Sequence, residues 1–193
     1  MDVAPDKRER ILAAASRLIV RNGLQCSMQA IAEEAGVATG SLYNYFDSKE
    51  ALVRGVYDRV AQEMTQQVAV PHDPASSHAQ RVQHYIERYI DFIWEDADRA
   101  RLFDYLDNSP LLTFGEAVGI FRPFVDHGRE MLALAQQDGV VRPGATNLIA
   151  SFVRGAIRNT LKRRRLDPSP IRDEEKQGLA AMCWDAIAVH RHP

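Results

Sequence analysis

The stretch Ser27–Phe46, SMQAIAEEAGVATGSLYNYF, leaves few folds open to the chain around it. Met28, Ile31, Ala32 and Ala35 recur at i, i+3, i+4 and i+7, so they share one face of a helix. Ala32 is small where a second helix has to cross closely. Gly36 falls where the first helix stops, and a turn there needs a residue that accepts positive φ. Val37 and Leu42 can then pack back onto the first helix. Small residue, glycine, apolar residue and apolar residue at these offsets predict a helix-turn-helix. The second helix presents Thr39, Gly40, Ser41, Tyr43 and Asn44 outward. These are small, polar or phenolic groups that suit a DNA groove. The pattern alone fits an ordinary αα-corner equally well, so its flanks have to decide.

Upstream, Ile11, Ala15, Leu18 and Ile19 give one face of a helix that ends at Gly23 and closes the third side of a small core. Downstream runs Tyr43-Asn44-Tyr45-Phe46-Asp47-Ser48-Lys49-Glu50-Ala51-Leu52. Together these carry R-x-x-I-L-x-A-A, then G-L, the helix pair, and L-Y-x-Y-F-x-S-K-E-x-L. Over residues 7 to 60 the sequence resembles the TetR family of transcriptional repressors; beyond that it matches in length and helical character alone. The resemblance implies an all-α fold. A three-helix DNA-binding domain at 1–50 precedes a helical ligand-binding and dimerisation domain at 51–193, about nine helices in all. It further implies a homodimer on a palindromic operator, released by a small molecule, in the cytoplasm.

Individual residues refine this. Asp6 is placed to cap the first helix and Ser27 the second. Ser27 and Gln29 lie where members of the family touch the DNA backbone. Family members usually have Ser or Thr at residue 38; Ala38 cannot cap, so Thr39 is expected to take over. Tyr43 offers a phenol to a phosphate and a ring to a thymine methyl; Asn44 serves either phosphate or base edge. Phe46, four after Leu42, belongs to the core, and Tyr45 fits either side. Asp47 with Glu50 forms a candidate capping box. Lys49 in a first turn opposes the helix dipole, which makes sense if a phosphate sits there. Lys7, Arg8 and Arg10 are open to phosphates or to solvent.

Bulk properties narrow the partners. The 193 residues are 46% hydrophobic, enough for a real core, with a formal net charge of −2. The first fifty residues carry six Lys and Arg against seven Asp and Glu. Affinity for DNA would therefore lean on geometry, helix N-termini and hydroxyls rather than on net charge. Cys26 and Cys183 have no Cys or His at metal spacing and read as small buried residues. No apolar run reaches bilayer length, and MDVAPDKRER lacks an apolar signal core. No metal or cofactor is expected. Glu-x-x-His pairs, a P-loop, a dinucleotide loop and G-x-S-x-G are all missing, which argues against an enzyme.

After a helix over 48–69, polar breaks at 70–77, 107–110, 138–139, 143–144 and 167–170 separate helices at 77–95, 98–108, 114–137, 145–165 and 172–190. His72 and His78 in the first break read as solvated. Pro123 should kink or break its helix. Nine of the fifteen aromatics fall between Tyr85 and Phe124. Tyr85, Tyr89, Phe92, Phe103, Phe121, Phe124 and His127 are the candidates to line a ligand site, with Arg122, Arg129 and Asn159 nearby. Each aromatic could equally fill core. Phe152, Val153, Ala156, Ile157 and Thr160, with Met182, Cys183, Ala186 and Ile187, form apolar faces on the last two helices. The resemblance implies that these pair with their copies in a four-helix interface. Lys162-Arg163-Arg164-Arg165 closes a helix, where cations suit the dipole.

Overall fold

The structure, a computed structural model, describes residues 6–71, 73–107 and 111–190. His72, the break residues Asn108, Ser109 and Pro110, and the Phe114 side chain lie outside that description. Ten α-helices follow in order: α1 Lys7–Asn22, α2 Met28–Glu34, α3 Thr39–Tyr43, α4 Lys49–Val68, α5 His78–Glu95, α6 Ala97–Asp107, α7 Phe114–Ile120, α8 Arg122–Gln137, α9 Thr146–Arg164 and α10 Asp173–Ile187. The expected helix over 114–137 is two helices, parted at Phe121. Pro123 is the second residue of α8, where a missing N–H costs nothing. Among the described residues no helix is long and apolar enough to cross a membrane.

Caps set the helix starts, and three differ from expectation. Asp6 occupies the cap position of α1 but its side chain accepts no capping bond. Thr39 is already helical, so it cannot cap α3; Ala38 stands at that position without a side-chain acceptor. For α4, Ser48 Oγ takes the Ala51 N–H at 3.1 Å, which displaces the expected Asp47–Glu50 box by one residue. Ser27 caps α2 as read, accepting the Ala30 N–H at 3.1 Å.

The chain forms two compact units. One comprises residues up to Gln62 together with Ala97–Phe121; the other comprises Glu63–Asp96 and Arg122 onward. The chain passes from one to the other inside α4. In the first unit Leu12, Ile19, Ile31, Leu42, Phe46, Leu52 and Val56 share a core with Leu102 and Leu106 of α6 and with Leu112. Thus α6 completes the wall that the first four helices leave open. Tyr57 meets Phe121 edge-on at 6.2 Å, Phe121 meets Phe103 at 5.5 Å, and Arg54 of α4 is paired with Glu116 of α7. Glu116 also caps Thr113, and Arg54 with these cap bonds holds its carboxyl down at about 2.

In the second unit α5 packs against α8, α9 and α10. Val82, Ile86, Ile90 and Ile93 of α5 meet Met131, Leu132, Ile149, Ile157, Leu179 and Ile187 in its interior. The strand-like pieces after α8 and α10 join through Arg142 N–H to Ile187 O at 2.8 Å and Val189 N–H to Val140 O at 3.0 Å. Two residues of the cationic run are engaged structurally. Arg164 grips Glu175 at 2.7 Å and the carbonyls of Ser169 and Pro170, while Arg165 lies over the Trp94 ring and bonds the Trp94 carbonyl at 2.8 Å.

Gly55 sets how closely α4 approaches its neighbours. A Cβ there would lie 2.9 Å from the Phe46 ring and 3.0 Å from Leu12. We expect Gly55→Ala to destabilise the first unit by about 1–3 kcal/mol despite the better helix propensity of alanine. Urea unfolding followed by circular dichroism measures this, and an unchanged or higher midpoint would show that Phe46 yields freely.

Candidate nucleic-acid interface

α2 and α3 are short, and their geometry comes from what they bury. Ile31, Ala32 and Ala35 of the first helix face Leu42 of the second, which is fully buried. Gly36 turns the chain at φ +63°. Arg10 then locks the turn from α1: its Nη2 donates to the carbonyls of Ala35 at 2.8 Å and Gly36 at 2.9 Å. Those carbonyls end α2 without helical partners, so the guanidinium satisfies them and opposes the dipole. Arg8 lies over the Phe46 ring at 5.4 Å and pairs with Glu9. Glu34 takes Arg17 at 2.9 Å and Arg21 at 2.7 Å, and both hold its carboxyl below the ordinary range. Of the basic residues in α1, Arg8, Arg10, Arg17 and Arg21 are therefore engaged within the unit.

With Leu42 and Phe46 inward, the remaining positions of this stretch turn out. Tyr43 is 48% and Tyr45 41% exposed, which settles Tyr45 on the outer side. Ser27, Gln29, Gly40 and Asn44 are exposed, and Thr39, Ser41 and Lys49 half-buried. Lys49 is the first residue of α4 and stands near enough to Cys26 for its charge to oppose the rise that burial imposes on the thiol. Cys26 adjoins the Ser27 cap. Lys49 thus stands near the residue that precedes the α2 cap.

Residues 11–56 match the family described as "Bacterial regulatory proteins, tetR family". The chain belongs to the TetR family. It is 32% identical over 98 residues to the HTH-type transcriptional activator FasR of Mycolicibacterium smegmatis, a match covering 50% of this chain and 45% of FasR. A TetR-family structure from Vibrio parahaemolyticus has a TM-score of 0.81 at 26% identity, over 96% of this chain and all of that one. The structure of AibR in complex with isovaleryl coenzyme A and operator DNA has a TM-score of 0.74 at 22% identity, over 92% of this chain and 97% of AibR. The chain spans about half the length of the curated relatives it matches.

The TetR-family body divides the expected ligand residues. Tyr85, Tyr89, Phe124 and His127 come together in the second unit, with Tyr85–Phe124 centroids 5.8 Å apart and Tyr85–His127 6.5 Å. Phe92, on the same helix, is buried in that unit. Phe103 and Phe121 belong to the first unit, so they cannot be assigned with the others. Arg122 and Asn159 are exposed and Arg129 pairs with Asp126. The sequence reading missed Arg154, whose guanidinium lies over the Phe124 ring at 5.5 Å. Of the expected dimer residues, Val153, Ile157, Cys183 and Ile187 are buried. Phe152 is 55% and Met182 63% exposed, Leu148 and Thr160 are exposed, and Ala156 and Ala186 are half-buried.

Arg10→Met removes both bonds at the turn and leaves two helix-end carbonyls to water. The expected loss is about 1–3 kcal/mol in chemical unfolding. Amide exchange at Val37–Leu42 should accelerate; protection as in the unmutated protein would show that the turn does not depend on Arg10.

Proposed function

We propose that this protein is a repressor that binds a palindromic DNA operator as a homodimer and lets go when a small molecule occupies its second unit. The observation that carries the reading is the outer surface of Thr39–Lys49. Two exposed phenols, an amide, two half-buried hydroxyls and a bare glycine project from a helix and its following turn, whose other side is sealed by Leu42 and Phe46. Tyr43, Asn44, Thr39 and Ser41 have the donors and acceptors to meet base edges and phosphates. Gly40 lets the backbone come close. Ser27, Gln29, Tyr45 and Lys49 would hold the flanking phosphates, two of them at helix N-termini.

One such helix reads a single half-site. Two must stand about one helical turn of DNA apart, or a multiple of it, which requires a two-fold dimer. Leu148, Phe152, Thr160 and Met182, with Ala156 and Ala186, supply the surface for it on α9 and α10. Small residues beside a large aromatic suit helices that pack on their own copies.

Release follows from connectivity. α6 and α7 belong to the first unit, yet in sequence they join α5 to α8, the two helices that carry Tyr85, Tyr89, Phe124 and His127. A ligand that alters the separation of α5 and α8 therefore loads the segment whose Leu102 and Leu106 lie in the reader's core. Ligand lowers DNA affinity to the extent that it prefers the conformer with misplaced readers. AibR, crystallised with both a coenzyme A ester and operator DNA, supports a second unit that answers to a small molecule.

Selection of bound sequences from random DNA should return an inverted repeat. On that site Lys49→Ala should weaken binding equally across sequences and reduce the salt slope by about 1. Tyr43→Ala should weaken it by about 1–3 kcal/mol. Unchanged footprints for both would overturn the assignment. Phe152→Glu should give a monomer in sedimentation and abolish operator binding, because each half-site alone is weak. A dimer persisting in that variant and in Met182→Glu would place the interface elsewhere. In a promoter-reporter strain, deletion should raise expression; a fall would make the protein an activator, as FasR is named.

A further inference from the structure

Among the sealed polar atoms of the second unit that have no hydrogen-bond partner, two belong to Tyr85 and Arg154. Tyr85 is 4% exposed, and its Oη makes none. Arg154 Nη1 is sealed from solvent and likewise makes none. The two side chains are neighbours: the charge of Arg154, and its approach as a donor at a reach too long to make a hydrogen bond, oppose the rise that burial imposes on the Tyr85 phenol. Among the described residues no carboxylate pairs with Arg154; its one ring partner is Phe124 at 5.5 Å. A buried hydroxyl and a sealed nitrogen on a half-buried guanidinium are costly to leave unbonded, and natural interiors seldom keep such groups unless something else completes them.

Their surroundings define what that is. Tyr85, Tyr89 and Phe124 stack with centroids 5.8 to 6.5 Å apart. His127 lies against Tyr85, and burial favours its neutral form. On α8 the facing residue is Gly128, where a Cβ would lie 3.3 Å from Tyr85 Oη, so the absence of a side chain gives the hydroxyl its space. The guanidinium stands beside a phenol and an imidazole that burial keeps neutral, with Glu130 near the imidazole on the same helix. A planar fork beside a hydroxyl donor matches the two oxygens of a carboxylate.

We propose that Arg154 and Tyr85 form the anion-binding end of the effector site and take the carboxylate of a small apolar acid, its hydrocarbon or aromatic body lying against Tyr89 and Phe124. This rests on the reading of the second unit as a ligand module and names the chemistry that unit recognises. It separates a free acid from a coenzyme A ester, in which the carboxylate has been converted to a thioester.

Isothermal titration of the full-length protein with octanoate and phenylacetate, against octanamide, phenylacetamide and octanoyl coenzyme A, tests it. At least one acid should bind, and its amide about ten- to a hundredfold more weakly. Arg154→Met keeps the packing on Phe124 and should lose a similar factor for the acid. Tyr85→Phe should lose about three- to tenfold. Neither variant should melt below the parent without ligand, since each removes an unsatisfied group. Acid and amide binding alike, binding of the coenzyme A ester alone, no binding of either acid, or full acid binding by Arg154→Met would each overturn the proposal. The DNA selection is scored separately. An operator recovered with no response to acids removes this inference and leaves the regulatory reading, whereas acid binding by a protein that selects no DNA does the reverse.

Discussion

The first unit depends on the contact between Leu12, Phe46 and Gly55, where α1, the end of the α3 segment and α4 meet. α3 is five residues long, far below the length at which a helix holds itself in water. It also lacks a side-chain cap. Its orientation is therefore set by tertiary packing: Leu42 and Phe46 are anchored in a core that Gly55 opens just wide enough. Arg10 reinforces the same geometry from the turn side. A rigid reader is thus made from a weak helix by fixing both of its ends.

This explains why the reader was legible from sequence. Packing at close range admits few residue types, so small, glycine and apolar positions recur at fixed offsets and can be recognised. Gly36 at positive φ, Leu42 and Phe46 in the interior and Ser27 at its cap were all readable. The caps that misled, at Asp6, Thr39 and Asp47, were cases in which a competent side chain stood one residue from the right place. A register slip of one is invisible to residue type, because Asp, Ser and Thr are interchangeable candidates until the backbone decides among them. Ser48 won over Asp47 on position alone.

The second unit was less legible for a different reason. Its helices are apolar on more than one face, so periodicity finds the buried stripe without saying which stripe faces inward and which awaits a partner. Val153 and Ile157 satisfy the same spacing as Phe152 and Thr160, one residue out of phase. Likewise the aromatics between Tyr85 and Phe124 look like one cluster in sequence, yet Phe103 and Phe121 lie on helices that pack with the reader. Arg154 escaped notice because an arginine within a helix ordinarily points to solvent. Only its position beside Phe124 and Tyr85 distinguishes it.

Charge ties the two units into one account. Arg8, Arg10, Arg17 and Arg21 stabilise the reader from within, and Arg164 and Arg165 do the same for the second unit. With a net charge of −2, little remains for unspecific attraction to a polyanion. On the proposed reading, DNA affinity comes from correct placement of two readers at once, and each reader alone contributes weakly. Binding that rests on spacing is steeply sensitive to spacing, since a second contact that cannot be reached adds nothing. The ligand need not touch the reader or disorder it. For the proposed dimer, a preference of a few kcal/mol for one separation of α5 and α8 would be enough to move it from mostly bound to mostly free. Such a preference is of the size that the Tyr85 hydroxyl and the sealed Arg154 nitrogen would make available if the proposed anion completed them.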